Sequence, residues 1–121
     1  MSRYQDLDAW KISMQVVKEI YQLTNKYPKE ELYSLTSQTR RAAISIPCNI
    51  AEGMGRQYKK DTLQFLHIAR GSIYEVETLL NITILAEIMN REDINRVFPL
   101  LEKNVQVLNG LINYLKKSEL K

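Results

Sequence analysis

SLTSQTRRAAISIPCNIAEGMGR, residues 34–56, is the stretch whose reading decides the fold. Leu35, Thr39, Ala42, Ile46, Ile50 and Met54 recur at three- and four-residue steps, which places them on one face of a helix. Gln38, Arg41, Ser45, Asn49 and Glu52 follow the same spacing on a second, polar face. Polar faces turned to water are usually rich in Lys and Glu. A face made of Gln, Ser, Asn and one charge of each sign suits a hydrogen-bonded seam against another helix. Pro47 lacks an N–H, and its ring crowds the carbonyl of Ala43, so a kink is expected there, with Ser45 or Asn49 serving the freed carbonyl. Gly53 and Gly55 mark the end of the helix and a tight turn.

The neighbouring segments are helical as well. Upstream, a helix is expected from Leu7 or Asp8 to about Lys26, with Asp8 as its cap and Trp10, Met14, Val17 and Tyr21 as its apolar stripe, widened by Ile20 and Leu23. Tyr27-Pro28 ends it, because a residue before proline avoids the helical region. Ser34 is the expected cap of the second helix.

Downstream, a third helix spans about Lys60 to Ile88. It carries two stripes, Leu63-Leu66-Ala69-Ile73-Val76-Leu80-Thr83 and Phe65-Ile68-Ser72-Leu79-Ile82-Ala86. A helix apolar around so much of its girth needs burial on two sides. Asn90 with Asp93 resembles a capping box for a fourth helix. That helix repeats Ile94, Phe98, Leu101, Val105, Leu108, Ile112 and Leu115, and Pro99 implies a kink or a delayed start. No strand-like alternation is present. The expected fold is all-α: an antiparallel up-and-down four-helix bundle in one domain, residues 1–121.

A hairpin of the second and third helices turning at Gln57–Tyr58 pairs residues whose numbers sum to about 116. Arg41 then faces Glu75 as an ion pair, Ser45 faces Gly71 with the backbones in close approach, and Asn49 faces His67. Arg70 falls near the Asn49–Glu52 turn. The expected seam is Gln38, Arg41, Ser45, Asn49, Glu52, His67, Arg70, Gly71, Ser72 and Glu75.

Composition narrows the function. With 121 residues and 45% hydrophobic residues the chain folds as one small domain. The net charge of +3 permits a nucleic-acid partner without demanding one. One cysteine, Cys48, rules out an internal disulfide and a Cys-rich metal site. No apolar run reaches the ~20 residues of a membrane span, and MSRYQDLDAWK lacks the apolar core of a signal peptide, so the cytoplasm is the expected compartment.

Several stretches resemble a known family: Leu7-Asp8-Ala9-Trp10, YPKEELYSL, QTRRAAISIPCNIAEG and FLHIARGSIYEVETLL. Together they are similar to the four-helix-bundle proteins encoded in intervening sequences of bacterial 23S rRNA genes. The motif positions are Gln38, Arg41, Ser45, Pro47, Asn49, Glu52, Gly53, Arg70, Gly71, Ser72 and Glu75. Cys48 stands where a small residue such as Ala is common in that family. The resemblance implies an up-and-down bundle and a ring-shaped homopentamer. It also implies kinship with the accessory protein of diversity-generating retroelements, a basic pentamer that engages nucleic acid. It supplies no catalytic residues.

Three functional readings compete. As an enzyme, the chain would use Glu52, Glu75, His67 and Arg70, or Cys48 with His67. Di-iron bundles need Glu-x-x-His on two helices, and there is a single histidine, so no metal, cofactor, small-molecule substrate or catalysis is expected. As a nucleic-acid binder, the chain would use one end of the bundle, where Arg3, Arg56, Lys59, Lys60, Lys116, Lys117 and Lys121 gather for RNA or DNA, with Tyr4 and Tyr58 available to stack on bases. Asp6, Asp61 and Glu119 dilute that end, and Glu30, Glu31, Glu87, Glu92 and Asp93 occupy the other. As a structural or protein-interaction module, it would self-associate through Trp10, Tyr21, Tyr33 and the double-striped helix. The reading carried forward is a non-catalytic, self-associating bundle with a basic end for RNA or DNA. The alternative is a purely structural module.

Overall fold

The computed structural model describes residues 3–118. Four long helices and one short one carry the described fold, with no strand among the described residues. They are α1 (Asp8–Thr24), α2 (Ser37–Met54), α3 (Lys59–Leu85), α4 (Arg91–Asn95) and α5 (Phe98–Lys117). A 3-10 turn, Tyr4–Asp6, precedes α1. A second, Lys29–Glu31, leads into a π-helical turn, Leu32–Thr36, before α2. Each long helix packs on its sequence neighbour, and α5 closes the square against α1 and α3.

Paired contacts fix the helix directions. Ser45 meets Ser72 while Gly53 meets Thr62, so α2 and α3 run oppositely. Arg70 meets Asn109 while Lys59 meets Ser118, so α3 and α5 do too. One core runs the length of the square, with Ile20, Ile46, Ile50, Leu66, Ile73, Leu80, Leu101 and Leu108 fully buried. Tyr27 ties the α1–α2 connector into it, its hydroxyl donating to Thr83 Oγ1 at 3.4 Å. Burial raises the Tyr27 pKa, and the Thr83 contact offsets part of that.

Several local expectations are corrected. The buried stripe of α1 is Ala9, Ile12, Val16, Ile20 and Leu23, whereas Met14 and Tyr21 are exposed. The run through Val16, Ile20 and Leu23 owns the core, and Tyr21 is covered instead by the Arg40 guanidinium, 4.6 Å from its ring centre. Asp8 begins α1 rather than capping it, and still places a carboxylate at the positive helix end. Ser34 does not cap α2; it donates to Glu31 within the turns that precede the helix. α2 continues through Pro47, and Asn49 serves the carbonyl of Ser45, two residues beyond the expected Ala43. Pro99 sits in the first turn of α5, where its missing N–H costs nothing, so the helix starts late. Asn90 caps α4 by accepting from the Glu92 N–H.

The end of α3 has no glycine, yet it closes like a helix that has one. Ile88 N–H bonds to the Thr83 carbonyl and Glu87 N–H to the Ile84 carbonyl. Glu87 takes the left-handed conformation, φ 56°, that such a terminus requires. The helix therefore stops at Leu85, three residues short of Ile88.

Candidate nucleic-acid interface

The polar seam of α2 and α3 closes over only part of its length. Ser45 Oγ and Ser72 Oγ lie 2.9 Å apart, and Asn49 Nδ2 donates to the Ser45 carbonyl and hydroxyl at 2.8 Å each. The residue numbers of that pair sum to 117, one step from the expected register. Gln38, Arg41, Glu52, Gly71 and Glu75 are exposed. The expected Arg41–Glu75 ion pair does not form. The ion pairs within 4.0 Å among the described residues are Lys26–Asp93 and Glu52–Arg56. Both Arg41 and Glu75 lie on the outward rim of the hairpin, where each keeps its hydration and a surface pair gains little.

The close approach of the two backbones also lies elsewhere. A Cβ built on Gly71 meets nothing within 4 Å. One built on Gly53 would come 2.9 Å from Phe65 Cβ and 3.1 Å from the Thr62 carbonyl. Thr62 Oγ1 donates to the Gly53 carbonyl at 2.7 Å across the same contact. Gly53 is therefore required by packing against α3, not by backbone conformation, since no described glycine has positive φ. Gly55 is the C-cap, with φ −88°.

His67 and Arg70 leave the seam altogether. Residues two apart on a helix differ by about 200° around its axis, so Arg70 points away from the side that holds Ser72. It turns to α5, where Arg70 Nη1 donates to Asn109 Oδ1 at 2.8 Å and Nη2 lies 3.0 Å from His67 Nδ1. Burial lowers the His67 pKa, and the Arg70 and Lys116 charges lower it further. A neutral ring therefore accepts from Arg70 through Nδ1.

This displaced pair joins the basic end. Lys59, Lys60, Leu63, Gln64, His67 and Ile68 line a shallow groove of about 790 Å³ on α3, and no carboxylate is among them. Lys59 Nζ donates to the Ser118 carbonyl at 2.9 Å, which fastens the hairpin tip to the end of α5. Lys116 and Lys117 are exposed in the last turn of α5. Arg56 is partly committed: it stacks over Phe65 at 4.6 Å and pairs with Glu52 at 3.8 Å. Arg3 is exposed ahead of the first turn, and Lys121 lies outside the described residues. Tyr58 is exposed, whereas Tyr4 meets Trp10 edge-on at 5.6 Å.

Sequence reading missed three features here: His67 as a groove residue, Arg70 as its partner, and exposed Tyr114 on α5. The spacing Lys60, His67, Arg70 on one helical face is the signal for the first two. Cys48 is exposed on α2, and His67 bonds to Arg70. Among the described residues, no three of His, Cys, Asp and Glu gather as metal ligands, and no helix is long and apolar enough to cross a membrane.

Comparison with known proteins bears on this arrangement. The crystal structure of a protein of unknown function from the S23 ribosomal protein family of Bacteroides thetaiotaomicron superposes with a TM-score of 0.79. It is 24% identical and covers 87% of this chain and 95% of its own, a likeness that shows the fold. No curated protein matches the sequence significantly. The family model for the 23S rRNA-intervening sequence protein matches residues 5–110. A match over most of a chain with this bundle places it in a family: the chain belongs to the 23S rRNA-intervening sequence proteins.

Proposed function

We propose that the protein is a non-catalytic, self-associating helical bundle that binds RNA or DNA through the basic groove on α3. One observation carries this reading. Lys59, Lys60 and His67 line a groove without a carboxylate, with Arg70 bonded to His67 and the Lys116 charge close to that ring. Phosphate binding needs that pattern: fixed cations and N–H donors at a surface, without an acid to neutralise them. His67 strengthens it, because an arriving phosphate favours the protonated ring, which then adds a positive charge.

Self-association multiplies the site. Copies arranged as the ring-shaped homopentamer that the family resemblance implies would set several basic grooves side by side along one backbone. Exposed Tyr33 and Leu85 favour the alternative, a module that only binds protein, and that reading shares the self-association.

Retardation of a structured RNA or a DNA duplex in a native gel, at about 50 and 200 mM salt, tests the binding. Binding is expected at the lower salt and a steep loss at the higher. Lys60→Ala and Lys116→Ala should each weaken it about equally for all sequences and lower the salt slope by about one. No retardation at the lower salt would leave the interaction module as the function.

A further inference from the structure

The groove on α3 has two kinds of lining, and phosphate needs only one of them. Two rows run along this flank at four-residue steps: Lys59, Leu63, His67 and Lys60, Gln64, Ile68. Each row begins with a cation, and each then offers apolar carbon. Ile68 is 47% exposed, and Leu63 is half-buried with one side on the core. Beyond them comes Gly71, where nothing lies within 4 Å of a built Cβ, so that end of the floor stays open.

A phosphate gains nothing from leucine or isoleucine, because its charge needs water or hydrogen-bond donors. A nucleobase does gain, since its faces are flat and its edges carry donors and acceptors. Gln64 is exposed on the same floor and presents both a donor and an acceptor, which suits such an edge. With His67 Nδ1 accepting from Arg70, Nε2 keeps the ring proton and is a further donor. Tyr58, 55% exposed, immediately precedes Lys59 and adds an aromatic face where the rows begin. The groove's volume of about 790 Å³ falls within the ~300–1,000 Å³ of pockets that hold small ligands.

A duplex cannot use this floor. Its bases stack on one another, so their faces are closed, and a shallow groove meets phosphate and sugar. Base edges in a duplex are read by an element that protrudes into its grooves. The floor on α3 is instead the flank of a helix packed in a bundle. A single strand can turn its bases out and lay them on apolar carbon.

We propose that the groove holds unpaired nucleotides, with bases on Leu63 and Ile68, Gln64 at a base edge, and the flanking phosphate on Lys59 and Lys60. The protein then prefers single-stranded nucleic acid to duplex. This inference rests on the nucleic-acid binding proposed above and names the form that is bound.

Fluorescence anisotropy of the full chain tests it, with a labelled strand of about 12 nucleotides and the same strand annealed to its complement, at about 50 mM salt. The duplex carries the denser charge, so a groove that works by charge alone binds it more tightly. The single strand is expected to bind at least about tenfold more tightly than the duplex, and to keep part of its binding at about 500 mM salt. Ile68→Ser and Gln64→Ala alter exposed side chains, so the fold is spared. Each should weaken single-strand binding about three- to tenfold and leave duplex binding unchanged. A duplex that binds as tightly as the strand would overturn the preference and leave nucleic-acid binding standing. Equal weakening of both ligands by Ile68→Ser would overturn the apolar floor with the same consequence. Failure of both ligands to bind at the lower salt would overturn nucleic-acid binding itself, and the preference with it.

Discussion

The two ends of the α2–α3 hairpin contrast sharply. Near the turn, Gly53 lets Phe65 and Thr62 press against the backbone of α2, and Asn49, Ser45 and Ser72 share hydrogen bonds. Far from the turn, Arg41 and Glu75 stand in solvent and Glu87 holds a left-handed backbone. Both ends belong to the same pair of helices and the same heptad-like pattern. The near end satisfies its own polar groups within the chain. The far end leaves charge and apolar surface exposed.

Substitutions at the near end should cost most. Gly53→Ala forces a Cβ into Phe65 and the Thr62 carbonyl, and overpacking of that kind costs about 1–3 kcal/mol. Chemical denaturation should show the loss; an unchanged midpoint would mean that the close approach is not real. Ser72→Ala removes a hydrogen bond from a buried position and should cost about 1 kcal/mol by the same measurement.

Far-end substitutions should be mild or favourable. Glu87→Gly relieves a left-handed non-glycine residue and should raise stability by up to about 1 kcal/mol, read as a higher melting temperature. Arg41→Ala, measured at dilution where copies do not associate, should change stability by less than about 0.5 kcal/mol. A loss of several kcal/mol there would restore the ion pair within the chain and remove the contrast.

The smallest effect is a pH dependence at the near end. The folded-state pKa of His67 lies below its ordinary value, chiefly through burial and then through Arg70 and Lys116. The unfolded chain therefore binds the proton more readily. The stability that His67 contributes is present above about pH 6.5 and is lost as pH falls through the lower folded value. His67→Gln should flatten that decline in an acid titration of the melting temperature. Nucleic-acid binding should shift oppositely and tighten as pH falls towards 6, because phosphate favours the charged ring.

Much of this was legible in the sequence. The apolar spacing of α2, α5 and the first stripe of α3 gave their buried faces, whereas Ile68, Ile82 and Ala86 of the second α3 stripe are exposed, so α3 is not buried on two sides; the turn at Gln57–Tyr58 gave a register correct to one residue. What escaped had physical reasons. Periodicity fixes a face only to within about a residue, or 100° around the helix, and that margin sent Arg70 and His67 to α5 instead of α2. Two glycines of the same seam looked alike, and only the distance between backbones separates Gly53 from Gly71. The terminus of α3 was hidden because Glu87 does what glycine usually does. Asn104 breaks the apolar repeat of α5 yet is fully buried, where its Nδ2 donates to the Ala9 carbonyl.

A double-mutant cycle on Ser45 and Ser72, each replaced by alanine alone and together, goes straight to the near-end contact on which the register rests. A favourable coupling of about 0.5–1.5 kcal/mol in urea denaturation is expected for two hydroxyls 2.9 Å apart. Losses that simply add, with no coupling, would show that α2 and α3 do not meet at this pair.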